Sequence, residues 1–318
     1  MSVPKICSIL QWVQKCEWFE FAHHLEPAEV FNIIMNQTTE KTQIKDLPDE
    51  IIGRVQREIE PYEVILLDPN MTKGKVPPLA SGTLVQIGEK YCILTAKHVT
   101  NELKELKEIG LNLGTFEHRF TIDTLLLRIL EVDEPSHGAT SSGLAIIILP
   151  VSKIGIIKAK KIYWNLTKHM QSVLSKPIDW KIGLFFVCGT IGEWSKIEDS
   201  LGWFSKTLNC QCEFMYTGCK KYYLKGEFDY LELSVSYKKR NDLPNSFRGA
   251  SGGGIWGTQL FRTDDGRINY SSPLLVGMAC EEDVKTNGSR SIIAGITGYG
   301  WRSIYEQVIS KVGLLNKR

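Results

Sequence analysis

The chain has 318 residues, with 38 lysines and arginines against 36 aspartates and glutamates, for a formal net charge of +2. That length suits one large or two ordinary domains around a sizeable buried core. The near balance of charge speaks against nucleic acid as a partner, because Lys220-Lys221 and Lys238-Lys239-Arg240 are short basic spots of the kind found at solvated strand ends and turns.

The first residues, Met1-Ser2-Val3-Pro4-Lys5-Ile6-Cys7, lead into a segment interrupted by Gln14, Lys15, Glu17 and Glu20. An uninterrupted apolar core with a small-residue cleavage site is lacking, so no secretory signal is expected and the expected compartment is the cytoplasm. No stretch has the length and apolarity of a membrane span, so no membrane partner is expected. The eight cysteines are then expected as reduced thiols. Cys92 and Cys188 lie in apolar strand patterns and read as small core residues. Cys210, Cys212 and Cys219 form the one cluster, but their spacing is not that of a usual zinc pair and no histidine lies near, so no metal is expected.

In chain order, a helix is predicted over 26–34, with Pro27 in its first turn and Glu26 and Glu29 near its N-terminus. A second is predicted from Pro48, ending before Pro61, where Ile51, Val55 and Ile59 form one apolar stripe expected to pack on the rest of the protein. Residues 62–67 read as a short strand and 68–78 as a loop. Next come a strand, a turn at Gly88-Glu89-Lys90, a strand over 91–95, and His98 just past its end. Further strands are predicted over 120–130 and 144–151. Short strands at this spacing, without a strong helical period, indicate an all-β barrel or sandwich. Residues 165–181 cross to a second half in which 230–237 alternates clearly and 241–245 turns into a glycine cluster. The last element is a helix over 301–312 carrying Ile304, Val308 and Val312 on one stripe, with Gly313 as its expected C-cap and 316–318 expected to fray.

The glycine cluster, Arg248-Gly249-Ala250-Ser251-Gly252-Gly253-Gly254-Ile255-Trp256, is where chemistry is expected. Glycines let the backbone turn tightly and approach other groups closely. A serine on such a turn presents its hydroxyl beside free backbone N–H groups, as an acyl-transfer nucleophile requires. An ordinary loop is the plainer reading of the cluster alone, and the Gly-x-x-x-x-Gly-Lys-Ser/Thr spacing of a phosphate cradle is absent. A nucleophile needs a base. His23, His24, His118, His137 and His169 sit in polar or mixed surroundings, whereas His98 closes a strand.

Thr95-Ala96-Lys97-His98 resembles the Thr-Ala-Ala-His signature of chymotrypsin/trypsin-like serine proteases, and Gly249-Ala250-Ser251-Gly252-Gly253 matches their Gly-x-Ser-Gly-Gly signature, in the family's order. Residues 185–190 look like the strand that opens the family's second barrel, 275–279 like the strand that lines its substrate cleft, and 301–312 like its closing helix. The resemblance covers about positions 76 to 315. It implies an all-β fold of two six-stranded antiparallel barrels of trypsin-like type, with a partly helical N-terminal extension over 1–75. The first barrel, 76–170, would carry His98; the second, 171–318, would carry Ser251 and the C-terminal helix. The implied activity is that of a serine endopeptidase acting on a protein or peptide. Ser251 attacks the scissile carbonyl, His98 takes and returns the proton, the N–H groups of Gly249 and Ser251 hold the oxyanion, and no cofactor is used. Asn245 and Ser246 fall where the family's specificity pocket has its floor; neither is charged, so a strict Lys/Arg preference is not implied.

One residue departs from the pattern. The family's acid precedes a strand matched here by Leu144-Ala145-Ile146-Ile147-Ile148-Leu149, so its position is filled by Gly143. Three ways of completing the site are open: Asp133 reaching the histidine from the preceding loop, Ser141 or Ser142 as a weaker orienter, or a Ser-His dyad. Two alternatives to a self-sufficient enzyme follow. One is a catalytically impaired fold acting as a binding or regulatory module. The other is a protease activated by a protein partner or restrained by its own 1–75 extension.

Overall fold

Ile51, Ile52, Val55 and Ile59 are buried along one side of helix α1, Asp49–Ile59, as the apolar stripe predicts. Asp49 and Glu50 sit in its first turn and Arg57 in its last, where each suits the helix dipole. Each buried aliphatic contributes about 1.5–3 kcal/mol, enough to fix the helix on the core, which Ile52, Val55 and Ile59 join. Pro61 ends the helix through a 3-10 turn, Glu60–Tyr62. The computed structural model describes residues 47–69, 79–113, 120–132, 143–192, 195–199, 206–209, 213–236, 246–285 and 293–317. The helix predicted over 26–34 lies outside them.

The first half is a curled sheet. Its strands are β1 (Glu63–Leu67), β2 (Ala80–Ile87), β3 (Lys90–Ala96), β4 (Glu108–Asn112), β5 (Phe120–Asp123), β6 (Arg128–Val132) and β7 (Leu144–Ile148), in the order β5-β4-β1-β2-β3-β7-β6, all antiparallel. Helix α2, Lys97–Lys104, follows β3 without a loop, and helix α3, Val151–Lys158, follows β7. A short β8, Trp164–Asn165, adds parallel to β2 and leads into helix α4, Leu166–Ser175. Asn165 caps α4 by accepting from the Lys168 N–H at 2.8 Å.

The second half is a closed barrel. Strand β9 (Leu184–Gly189) is followed by a hairpin of β10 (Lys196–Asp199) and β11 (Lys206–Asn209), then by β12 (Glu213–Lys225), β13 (Phe228–Ser236) and β14 (Gly254–Thr258). A second hairpin, β15 (Leu260–Arg262) with β16 (Ile268–Tyr270), precedes β17 (Leu274–Lys285) and β18 (Ile293–Tyr299). Six strands close in the order β12-β13-β18-β17-β14-β9, all antiparallel. A π-helical turn, Ser303–Val308, then passes into helix α5, Ile309–Gly313. Asp229, fully buried, holds the start of that turn by accepting from the N–H groups of Arg302 at 3.0 Å and Ser303 at 2.7 Å.

The two halves share one core. Trp164 beside the first sheet donates its indole N–H to the Tyr305 hydroxyl at 2.7 Å, and that hydroxyl donates to the Leu275 carbonyl in the barrel at 3.1 Å. Tyr62 and Trp164 pack on Trp256, with centroids 5.0 and 5.2 Å apart.

The mostly β, antiparallel architecture agrees with expectation, as does one six-stranded barrel. The first half is an open, half-barrel sheet rather than a second closed barrel among the described residues. The strand predicted over 120–130 is broken by a 3-10 turn, Thr124–Leu126, which Thr124 fixes by donating its hydroxyl to the Leu106 carbonyl at 2.6 Å. The strand predicted over 144–151 stops at Ile148, because Pro150 starts α3. Gly313 does not act as the expected C-cap: Leu314 after it stays right-handed (φ −62°, ψ −22°), and the chain continues as a 3-10 turn. No helix among the described residues is long and apolar enough to cross a membrane.

Candidate active site

The turn that carries Ser251 lies where the barrel meets the first sheet. Gly249 and Gly252 have φ values of 101° and 87°, which side-chain-bearing residues rarely adopt. A Cβ on Gly252 would also overlap the Ser81 carbonyl oxygen and the Thr95 hydroxyl. The backbone beside Ser251 is therefore pressed against Thr95, three residues before His98. Gly252 donates to the Ala279 carbonyl at 2.8 Å, and Ala279 donates back to Gly253 at 2.9 Å, so the turn is clamped to β17.

Each carbonyl of the turn has a donor. Gly192 N–H donates to Arg248 at 2.9 Å, Gly253 N–H donates to Ala250 at 2.9 Å, and Ser81 N–H donates to Ser251 at 3.1 Å. The Gly249 carbonyl accepts from the Ser81 hydroxyl at 2.8 Å. In a trans peptide the N–H points opposite to the carbonyl. Holding the Arg248 and Ala250 carbonyls inward therefore turns the Gly249 and Ser251 N–H groups outward, and among the described residues neither has an acceptor. Two unspent donors flanking a serine hydroxyl make a place for a developing oxyanion.

Upstream, the turn is held by a carboxylate. Glu282 on β17 accepts from the Ser246 hydroxyl at 2.8 Å and the Phe247 N–H at 3.0 Å. The Phe247 carbonyl in turn accepts from Ala250 at 3.0 Å.

His98 is the second residue of α2, exposed at its surface, and Ser251 is half-buried. Desolvation holds the His98 pKa below the ordinary histidine value, against the upward pull of the Glu102 and Glu281 carboxylates. The ring is therefore neutral, and able to accept a proton, over a wider range of acid pH than a free imidazole. Neither the His98 ring nor the Ser251 hydroxyl makes a hydrogen bond among the described residues.

Gly143 sits beside the residue preceding the histidine. Its carbonyl accepts from the Lys97 N–H at 2.6 Å, and a Cβ there would lie 3.3 Å from Lys97 Cδ. The nearby Glu131 is committed elsewhere, pairing with Lys104 at 2.6 Å and Lys97 at 3.0 Å. Those two ammonium groups, Lys104 foremost, hold its carboxyl below the usual carboxylate range. Asp133, Ser141 and Ser142 lie outside the described residues. No group of side chains suited to a metal is found among the described residues.

Sequence reading passes over Ser81, Glu282 and Glu63. Glu63 is a carboxylate inside β1, 2% exposed, which accepts from the Trp256 indole N–H at 2.9 Å and the Gly254 N–H at 3.3 Å. The one signal for it is a charge at the head of the apolar run Val64-Ile65-Leu66-Leu67. Ser81 carries no local signal, because its partners lie 109 and 168 positions away. Compared with known proteins, the chain matches no family model and no curated protein.

Proposed function

We propose that the chain is a serine endopeptidase of trypsin-like type, hydrolysing peptide bonds of a protein or peptide substrate. Ser251 is the nucleophile, His98 its general base and then general acid, and the Gly249 and Ser251 N–H groups form the oxyanion hole. The observation that carries this reading is the pair of unspent N–H donors beside Ser251, on a turn pressed against the strand that leads into His98. The Ser251 oxygen bonds to the scissile carbonyl carbon as its proton passes to His98. The tetrahedral oxyanion collapses as His98 protonates the departing amine, and water releases the acyl group by the same route in reverse. A lowered His98 pKa keeps the base unprotonated at neutral pH.

A fluorophosphonate probe tests this. Stoichiometric labelling of the full chain is expected, lost in both Ser251→Ala and His98→Ala. A folded wild-type chain that takes no label refutes it.

A second reading is favoured by one observation: at the family's acid position there is only the Gly143 backbone, and the adjacent Glu131 is tied to two lysines. On that reading the same fold binds or regulates with little hydrolysis of its own, or acts once a protein partner completes the site. Labelling that rises when a partner is added distinguishes the partner-activated form.

A further inference from the structure

The four carbonyls of the nucleophile turn are not held alike. Arg248 and Ala250 are held by backbone donors within the barrel half, Ser251 by the Ser81 backbone, and Gly249 by a side chain alone, the Ser81 hydroxyl. That hydroxyl belongs to β2 in the other sheet, is 1% exposed, and bridges two elements of the barrel. It donates to the Gly249 carbonyl at 2.8 Å and accepts from the Thr190 N–H, just past β9, also at 2.8 Å. Its place is tight, since a Cβ on Gly189 would come within 2.9 Å of Ser81 Oγ. Thr95, on the strand that leads to His98, donates to the Ser81 carbonyl at 2.9 Å. One residue thus joins the strand of the base to the turn of the nucleophile.

We propose that Ser81 is a positioning residue for the oxyanion hole: its hydroxyl, reaching across from the first sheet, fixes the Gly249–Ala250 peptide and so aims the N–H groups on either side of it. The inference rests on the hydrolase reading of the site. The physical case is a matter of freedom. Gly249 has no Cβ to restrict it, and once its carbonyl is released the Gly249–Ala250 peptide keeps only the Ala250 N–H bond to the Phe247 carbonyl and can tilt about it at small steric cost. A released carbonyl turns toward solvent, and the Gly249 N–H then no longer lies where Arg248 and Gly192 hold it. Ser81 touches no reacting atom. Its loss should appear as weaker stabilisation of the oxyanion, not as loss of nucleophile or base.

The test compares the full wild-type chain with Ser81→Ala and Ser81→Cys, using 4-nitrophenyl acetate and its thiono analogue, with rates expressed per fluorophosphonate-titrated site. A C=S group draws less on oxyanion donors than C=O, so an intact hole favours the oxygen ester. For Ser81→Ala, kcat on the oxygen ester is expected to fall at least about tenfold with KM little changed, bounded by the roughly 10²–10³-fold loss for deleting a donor outright. The oxygen-to-thiono rate ratio should fall with it. Ser81→Cys keeps the volume with a weaker donor and should lie between, which carries the test if Ser81→Ala does not fold. A merely structural role would reduce the titrated fraction but leave the rate per site and the ratio unchanged, and that result overturns the assignment. A wild-type chain that takes no probe and hydrolyses neither ester overturns the hydrolase reading, and this inference with it.

Discussion

Glu63 offers the sharpest test of how the two halves are joined. Its carboxyl lies among Trp256 Nε1 at 2.9 Å, Gly254 N at 3.3 Å and Thr83 Oγ at 3.3 Å, which ties β1, β2 and β14 together three residues beyond Ser251. Burial pushes its pKa up to about 7 from an ordinary 4.5, although those bonds and the charge of Lys161 pull the other way. A raised carboxylate pKa means that the folded state holds a proton the unfolded chain has already lost. The contribution is therefore full below pH 4.5 and is lost as pH rises to about 7. Across that window the shift corresponds to about 3 kcal/mol, at about 1.36 kcal/mol per unit. Glu63→Gln cannot ionise, but its amide meets the Gly254 N–H donor to donor, costing about 1 kcal/mol. Relative to wild type, the variant should be about 1 kcal/mol less stable near pH 4.5 and about 2 kcal/mol more stable at about pH 8. Urea unfolding of both proteins at several pH values reads this directly, and the difference between them cancels every other titrating group. Difference curves that are flat within about 0.5 kcal/mol across that range would refute the buried, proton-holding carboxyl.

Three further outcomes follow from the site and its supports. Gly143→Asp sets a carboxylate beside Lys97, the residue before His98, with the new Cβ 3.3 Å from Lys97 Cδ, and on the hydrolase reading should speed fluorophosphonate labelling by more than about tenfold; an unchanged rate would mean that a carboxylate at this position does not serve His98. The labelling rate should rise along a limb centred below the ordinary histidine pKa, and Glu281→Gln should move that limb further toward acid, because this carboxylate pulls the His98 pKa upward. A shift toward alkali would contradict the assigned electrostatics. Asp229→Ala strips the acceptor from the Arg302 and Ser303 N–H groups and should destabilise the protein by about 3 kcal/mol, read from urea midpoints, while leaving labelling of the folded fraction intact.

What can be read from the sequence is what depends on near neighbours. The α1 stripe is an i, i+4, i+8 pattern, and the His98 and Ser251 motifs are each a handful of adjacent residues. Helix α3 is hidden because Ile154, Ile156 and Ile157 continue the β-branched run of β7, and only Pro150 separates the two. The break at Thr124–Leu126 depends on a hydroxyl bond to a carbonyl 18 positions back, which no local pattern reports. The supports of the site are the least visible of all. Ser81, Glu63 and Glu282 reach partners 168, 193 and 35 positions away, so their roles exist only once the sheets have met.

The barrel closes through β18, which lies between β13 and β17 and is the last of the described strands to be made. Ala279 and Glu282, which brace the nucleophile turn, sit on β17, and β17 has β18 as its outer neighbour. A ribosome-bound chain thus carries Ser251 before it has made the strands that brace the turn around it. Any chemistry that needs those braces therefore waits until β17 and β18 have been made.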